Sequence, residues 1–176
     1  DYDYHYMDWY QIPKLLDKSY WCEPYYDDGG GEMMMTTYSK PLYDKEGRMF
    51  AVLTADLSLH WLTNLVVGIE AFPDSENFMI SRAATFLVHP DPEMILNETI
   101  YSANYGVEDE AVAKLQDDIL NGIAGQVVRM IEGNKYFQFY SPVETTEWTV
   151  AIRCPYKEVF AGVRSLSLTV IILAVL

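Results

Sequence analysis

The hydrophobic and polar positions of this 176-residue chain change period several times, and each change predicts a different element. Residues 1–6 alternate Asp or His with Tyr, so period two puts Tyr2, Tyr4 and Tyr6 on one strand face. Trp9-Tyr10-Gln11-Ile12-Pro13 follows, and Lys14 to Lys18 makes a short helical turn at most. Met33 to Tyr43 reads as a strand interrupted or ended at Pro41. Asp44-Lys45-Glu46-Gly47 is a turn with Gly at its last position. Met49 to Asp56 is a continuous apolar run, which predicts a central strand covered on both faces. Ser58 then caps a helix whose Leu59, Leu62, Leu65, Val66 and Ile69 recur at helical spacing.

Phe72 to Asn77 is a polar break, and the boundary between two modules is placed there. Phe78–Ser81 and Thr85–His89 predict a hairpin around Arg82-Ala83-Ala84. Glu108 to Leu120 predicts a helix, with Ala111, Val112, Leu115 and Ile119 on one face and acids opposite. Gly125–Ile131, Lys135–Val143 and Trp148–Cys154 read as three antiparallel strands with hairpin-length connections, and Pro155 ends the sheet. A strand pair, a helix and a three-stranded meander make an α+β unit. From Tyr156 the chain turns helical and runs into an uncharged stretch, residues 166–176. That stretch is expected to be the first half of a membrane-spanning helix, which needs about 20 apolar residues. A buried C-terminal helix is the alternative.

Composition narrows the function. Half the residues are hydrophobic, which excludes a disordered chain. Twelve basic residues against 26 acidic ones give a formal charge of -14, which opposes binding to nucleic acid or to an anionic membrane surface. Cys22 and Cys154 are two isolated thiols, neither a metal motif nor a disulfide framework, and are expected to be free and buried. The three histidines, His5, His60 and His89, form no His-x-x-x-His pair. There is no Gly-x-Ser-x-Gly and no phosphate-binding loop, so an enzyme is disfavoured. His89 with Asp91 reads as a turn-stabilising pair rather than a catalytic dyad. No cofactor or resident metal is implied.

Candidate chemistry concentrates in Tyr20-Trp21-Cys22-Glu23-Pro24-Tyr25-Tyr26-Asp27-Asp28-Gly29-Gly30-Gly31. Seven of the fourteen tyrosines and two of the four tryptophans lie in the first 26 residues, and such side chains offer apolar area with a polar handle. Aromatic faces and carboxylates held on a glycine turn suit a pocket for a small polar or cationic molecule. Taken alone, the segment would equally make an acidic surface turn. Asp28 and Glu32 are expected to face solvent. Asp56, at the end of an apolar strand, is expected to be partly buried and to need a partner.

Trp9-Tyr10-x-x-Pro13, Trp21-x-Glu23-Pro24-Tyr25-Tyr26-Asp27, Thr37-Tyr38-x-x-Pro41, Gly47 and Ala55-Asp56-x-x-Leu59-x-x-Leu62 together resemble the double Cache (PDC-like) sensor domain of bacterial membrane receptors. Phe86-Leu87-Val88-His89-Pro90 and the Trp148 strand before Pro155 look like its second module. The resemblance implies an α+β fold of two tandem PAS-like modules, each an antiparallel sheet flanked by helices. They would span residues 1–73 (membrane-distal) and 74–155 (membrane-proximal), with an exit helix over 156–176. It also implies a long N-terminal helix and an opening strand ahead of these residues. Ligand would sit in the membrane-distal pocket, on Trp9, Tyr10, Tyr25, Asp27 and Asp56.

Amino-acid-binding members carry an Arg two positions before the Trp-Tyr pair, and here that position is Met7. Methionine cannot grip a carboxylate bidentately. The remaining set predicts an amine or other cation, with a polyol or sugar as an alternative. The chain would then be the extracytoplasmic sensor of a histidine kinase or phosphatase receptor, dimeric and membrane-anchored. A chemotaxis-receptor sensor is the runner-up, and a divalent-cation site at Asp27, Asp28 and Glu32 the weaker third reading.

Overall fold

The computed structural model of the chain describes residues 3–161. Tyr4–Tyr6 form a 3-10 turn rather than a strand, because Asp3 accepts from the His5 backbone N–H and closes the turn. Helix α1 follows over Asp8–Leu16, longer than the single turn expected, and carries Trp9 and Tyr10. Pro13 sits inside it, where its missing N–H removes one bond. Two short strands, β1 (Tyr20–Trp21) and β2 (Tyr25–Tyr26), pair one after the other with the same edge of β3 (Met34–Tyr43). Strand β4 (Met49–Ser58) pairs with the other edge.

Two expectations about this sheet fail for identifiable reasons. β3 does not end at Pro41, which pairs with Val52. The Thr37 N–H and C=O point toward the β1–β2 edge. By the two-residue period, the Pro41 nitrogen points the same way, beyond the last β1 pair at Tyr20 and Ser39, where no donor is needed. β4 is an edge strand among the described residues, and its Phe50 and Leu53 are exposed, not covered on both faces.

Ser58 accepts from the Trp61 N–H and caps α2 (Leu59–Val67) as expected. Leu59, Leu62 and Val66 are buried, while Leu65, Ile69 and Trp61 lie exposed, so the apolar stripe is narrower than the spacing implied. The second sheet follows: β5 (Glu76–Ile80), β6 (Phe86–Val88), β7 (Gly125–Ile131), β8 (Asn134–Val143) and β9 (Trp148–Pro155). All pairs are antiparallel, in the order β6-β5-β9-β8-β7. The predicted hairpin and meander are both present. The β7–β8 turn is set by Glu132 and Gly133, both in the left-handed region at φ 49° and 79°. Between β6 and β7 lies α3 (Glu110–Leu120), capped by Asp109. Asp118 departs from the expected acidic face: it is buried and bonded to Lys114 and the Tyr140 hydroxyl, which hold its carboxyl below the usual range. A last turn, α4, covers Tyr156–Val159.

The layers run α1, first sheet, α2, second sheet, α3. Leu59, Leu62 and Val66 of α2 pack with Met79, Leu87, Val88 and Trp148 of the second sheet, and with Trp21, Met34 and Leu57 of the first. The opposite face of the second sheet, with Phe78, Ile80, Phe86 and Ala151, packs on Leu115 and Ile119 of α3. Cys22 and Cys154 are both free and buried. Among the described residues no helix is long and apolar enough to cross a membrane, and the apolar run at 166–176 lies outside them.

Leu59→Ala removes the centre of the shared layer and is expected to destabilise by about 2–5 kcal/mol. Leu65→Ala, on the exposed face of the same helix, should change stability by about 0.5 kcal/mol or less. Urea denaturation of the two variants checks the difference.

Candidate functional site

A cavity of about 310 Å³ opens on the α1 side of the first sheet. Four of the five residues singled out from sequence line it: Trp9 from α1, Tyr25 from β2, Asp27 just after it, and Asp56 from β4. Met35, Thr37 and Thr54 complete the sheet side. Tyr10 does not line it; its ring meets Tyr4 edge-on at 5.2 Å and lies 5.6 Å from the Lys14 ammonium.

The polar groups are joined by a relay. The Thr37 hydroxyl donates to Asp56 Oδ1 at 2.8 Å, so it must accept from the Tyr25 hydroxyl, also 2.8 Å away. Burial pushes the Tyr25 phenol up to about 12, and the Asp56 and Asp27 charges act in the same direction. Tyr25 is therefore a neutral donor at physiological pH. Asp56 is exposed rather than partly buried, yet it has the partner that was expected.

The glycine turn shapes the other wall. The Gly31 N–H donates to Asp27 Oδ2, and a Cβ on Gly30 would overlap that carboxylate. Gly29 sits at φ 85°, a conformation glycine adopts without strain. Asp28 and Glu32 are exposed, as expected. Glu32 accepts from the Gly29 N–H at 3.0 Å and from the Tyr26 hydroxyl at 3.2 Å. Among the described residues no group of three His, Cys, Asp or Glu is arranged to hold a metal. The lining as a whole presents two carboxylates, two aromatic rings and no basic side chain.

Residues 1–64 match the family model of the first PDC sensor domain of methyl-accepting-chemotaxis-protein-like receptors. An extracellular domain assigned to a histidine kinase, mmHK1S-Z3, superposes with a TM-score of 0.79 at 30% identity, over 93% of this chain and 58% of its own. A second such domain, mmHK1S-Z2, gives 0.74 at 25% identity, over 88% of this chain and 57% of its own. The chain is a PDC (Cache) sensor domain. The ligand-binding domain of the Pseudomonas aeruginosa amino acid chemoreceptor PctB, in complex with L-Gln, shares the fold, with a TM-score of 0.67 at 20% identity, over 96% of this chain and 66% of its own. The PDC domain described here thus spans just over half the length of the two histidine-kinase structures it matches.

Thr37 is the pocket residue of this PDC domain that was not singled out from sequence. It lies directly across from Asp56 in the β3–β4 ladder. The turn at residues 44–47 is legible, but a register shift at Leu42 and Tyr43 intervenes. Counted back from the Tyr43–Met49 pair without that shift, Thr37 would face Ala55.

Thr37→Val keeps the side-chain shape and removes both relay bonds. The expected loss is about 1–3 kcal/mol in urea denaturation. For Tyr25, the folded pKa lies above the unfolded value of 10.0. Its contribution to stability is thus complete below pH 10.0 and is lost as pH rises toward about 12. The melting temperature should fall less steeply across that window in Tyr25→Phe than in the unsubstituted chain.

Proposed function

We propose that the chain is the extracytoplasmic sensor of a transmembrane receptor, with residues 1–73 forming the membrane-distal module and 74–155 the membrane-proximal one. The distal cavity binds a small amine or other polar cation. One observation carries this reading: two carboxylates and two aromatic faces line the cavity, and no basic residue does. An ammonium group there makes charge-assisted hydrogen bonds to Asp27 and Asp56, and cation–π contact with Trp9 or Tyr25. Tyr25 remains a neutral donor that can serve a second polar group of the ligand.

PctB binds amino acids, and the domain of another structural neighbour, Mlp24, was solved with asparagine. In this chain Met7 stands at the N-cap of α1 and lines a neighbouring cavity with Trp9 and Tyr25. An α-carboxylate there finds a thioether where pairing would need a guanidinium. That argues for an amine lacking the carboxylate.

The receptor is placed with the histidine kinases, whose sensor domains superpose best among those compared, and a phosphatase output is the related reading. A chemotaxis receptor is the second, favoured by the family matched over residues 1–64. In either case the receptor is a homodimer anchored through the helix beginning near Tyr156.

A thermal-shift panel of amines, amino acids, sugars and divalent cations tests the ligand class. An amine at a hundred times its dissociation constant should stabilise by about 2.7 kcal/mol. Asp56→Asn and Asp27→Asn should abolish that shift. Met7→Arg should bring a response to α-amino acids. Stabilisation of the unsubstituted chain by α-amino acids but not by amines would refute the amine reading.

A further inference from the structure

The larger cavity, about 440 Å³, lies in the second module. It opens on the α3 side of the second sheet and has the opposite electrostatic character to the distal one. Arg129, Arg153 and His89 line it, and no Asp or Glu does. Its walls are apolar, with Phe78, Ile80, Phe86 and Ile100 among them.

The two arginines differ in one respect. Arg153 pairs with Glu76, its cross-strand neighbour, through Nε at 2.7 Å and through Nη2. Arg129 is 91% buried, its relative exposure being 9%, and makes no ion pair among the described residues. Its guanidinium touches only neutral amides, Gln138 Oε1 at 3.2 Å and Asn104 Oδ1 at 2.6 Å, and its Nε has no hydrogen-bond partner. A buried unpaired charge is destabilising. Here the destabilisation is borne in a chain of formal charge -14, with 26 carboxylates available to neutralise it.

The side chains around it extend the pattern. His89 packs between Phe78 and Phe86, with centroids 5.1 and 4.9 Å away. Its Nδ1 engages the Asp91 backbone, which leaves Nε2 as the ring nitrogen with no partner among the described residues. Gln138, Arg153 and Glu76 form one cross-strand row on the cavity face.

We propose that this cavity is a second ligand site, for a small monocarboxylate with an apolar body. The carboxylate pairs with the Arg129 guanidinium, and the apolar body packs against Phe78, Phe86 and Ile100. Fork geometry favours a carboxylate over a monopolar anion, and the volume suits a molecule of that size.

The test is calorimetric titration of the 176-residue chain with benzoate and propionate, each against its neutral amide, benzamide or propionamide. At least one carboxylate should bind at least tenfold more tightly than its amide. Arg129→Gln should lose that difference, and Asp56→Asn should keep it, which separates this site from the distal one. Gln138→Glu supplies an internal carboxylate 3.2 Å from the Arg129 guanidinium. It should raise the melting temperature and abolish carboxylate binding, so that loss of binding cannot be ascribed to unfolding. Equal binding of acid and amide, no binding of either acid up to about 10 mM, or full binding to Gln138→Glu would each overturn the proposal.

Discussion

Helix α2 has to satisfy two sheets at once, and the rest of the molecule is arranged around that constraint. Leu59 has no exposed surface, and its neighbours Leu62 and Val66 contact side chains from both modules. The first sheet has little other apolar anchorage. Thr36, Thr37 and Ser39 are among its most buried positions, and β4 is largely exposed. Its stability therefore comes largely through α2 and, behind α2, the second sheet. Asn77 strengthens the same joint by donating to the Val66 and Ile69 carbonyls beyond the end of α2. Packed interfaces of this kind rearrange in steps rather than deforming smoothly. A change at either sheet therefore reaches the other through a single helix.

The two cavities lie on the outer faces of that stack and carry opposite signs. The distal one has acids and no bases, and the proximal one has bases and no acids. Each sign follows from strand register. Asp56 reaches the α1 face because it stands opposite Thr37. Arg129 reaches the α3 face because it shares parity with Val127, which belongs to the core there. A one-residue slip in either ladder would turn the charge to the other face. The bulge in β3–β4 and the left-handed pair at Glu132 and Gly133 are therefore functional parts of the fold.

Much of this was legible in the sequence. The meander, the β5–β6 hairpin, the capped helices at Ser58 and Asp109, and four of the five residues now lining the distal cavity were read from spacing, turn chemistry and family resemblance. What was missed has physical causes. The alternation of Tyr4, His5 and Tyr6 mimics a strand, but the Asp3 cap and stacking of Tyr4 on Trp9 favour a tight turn. The apolar run of β4 mimics a central strand, and nothing in its own residues says that its far edge lacks a partner among the described residues. Asp118 and Arg129 are polar residues at buried positions. Only the partners Tyr140, Gln138 and Asn104, distant in sequence, explain why they are tolerated.

The segment from Tyr20 to Gly31 joins the site to the joint within twelve residues. At its start, Trp21 meets Trp148 of the second sheet at 5.0 Å, and Glu23 accepts from the Ser81 hydroxyl and from the Ala83 N–H at 3.1 Å. At its end, Tyr25 and Asp27 line the distal cavity. Between them Pro24 limits the backbone to extended geometries, so the two ends cannot move independently. A ligand shifts the balance between two conformations only by its differential affinity for them. In this arrangement any preference at Asp27 or Tyr25 is expressed directly at Glu23 and Trp21, one to four residues away, without passing through the whole sheet. Glu23 is the carboxylate of that stretch committed to the second module, while Asp27 is held by the glycine turn and faces the cavity. The two acids thus divide the work of the segment: one fixes the modules to each other, and the other meets the ligand.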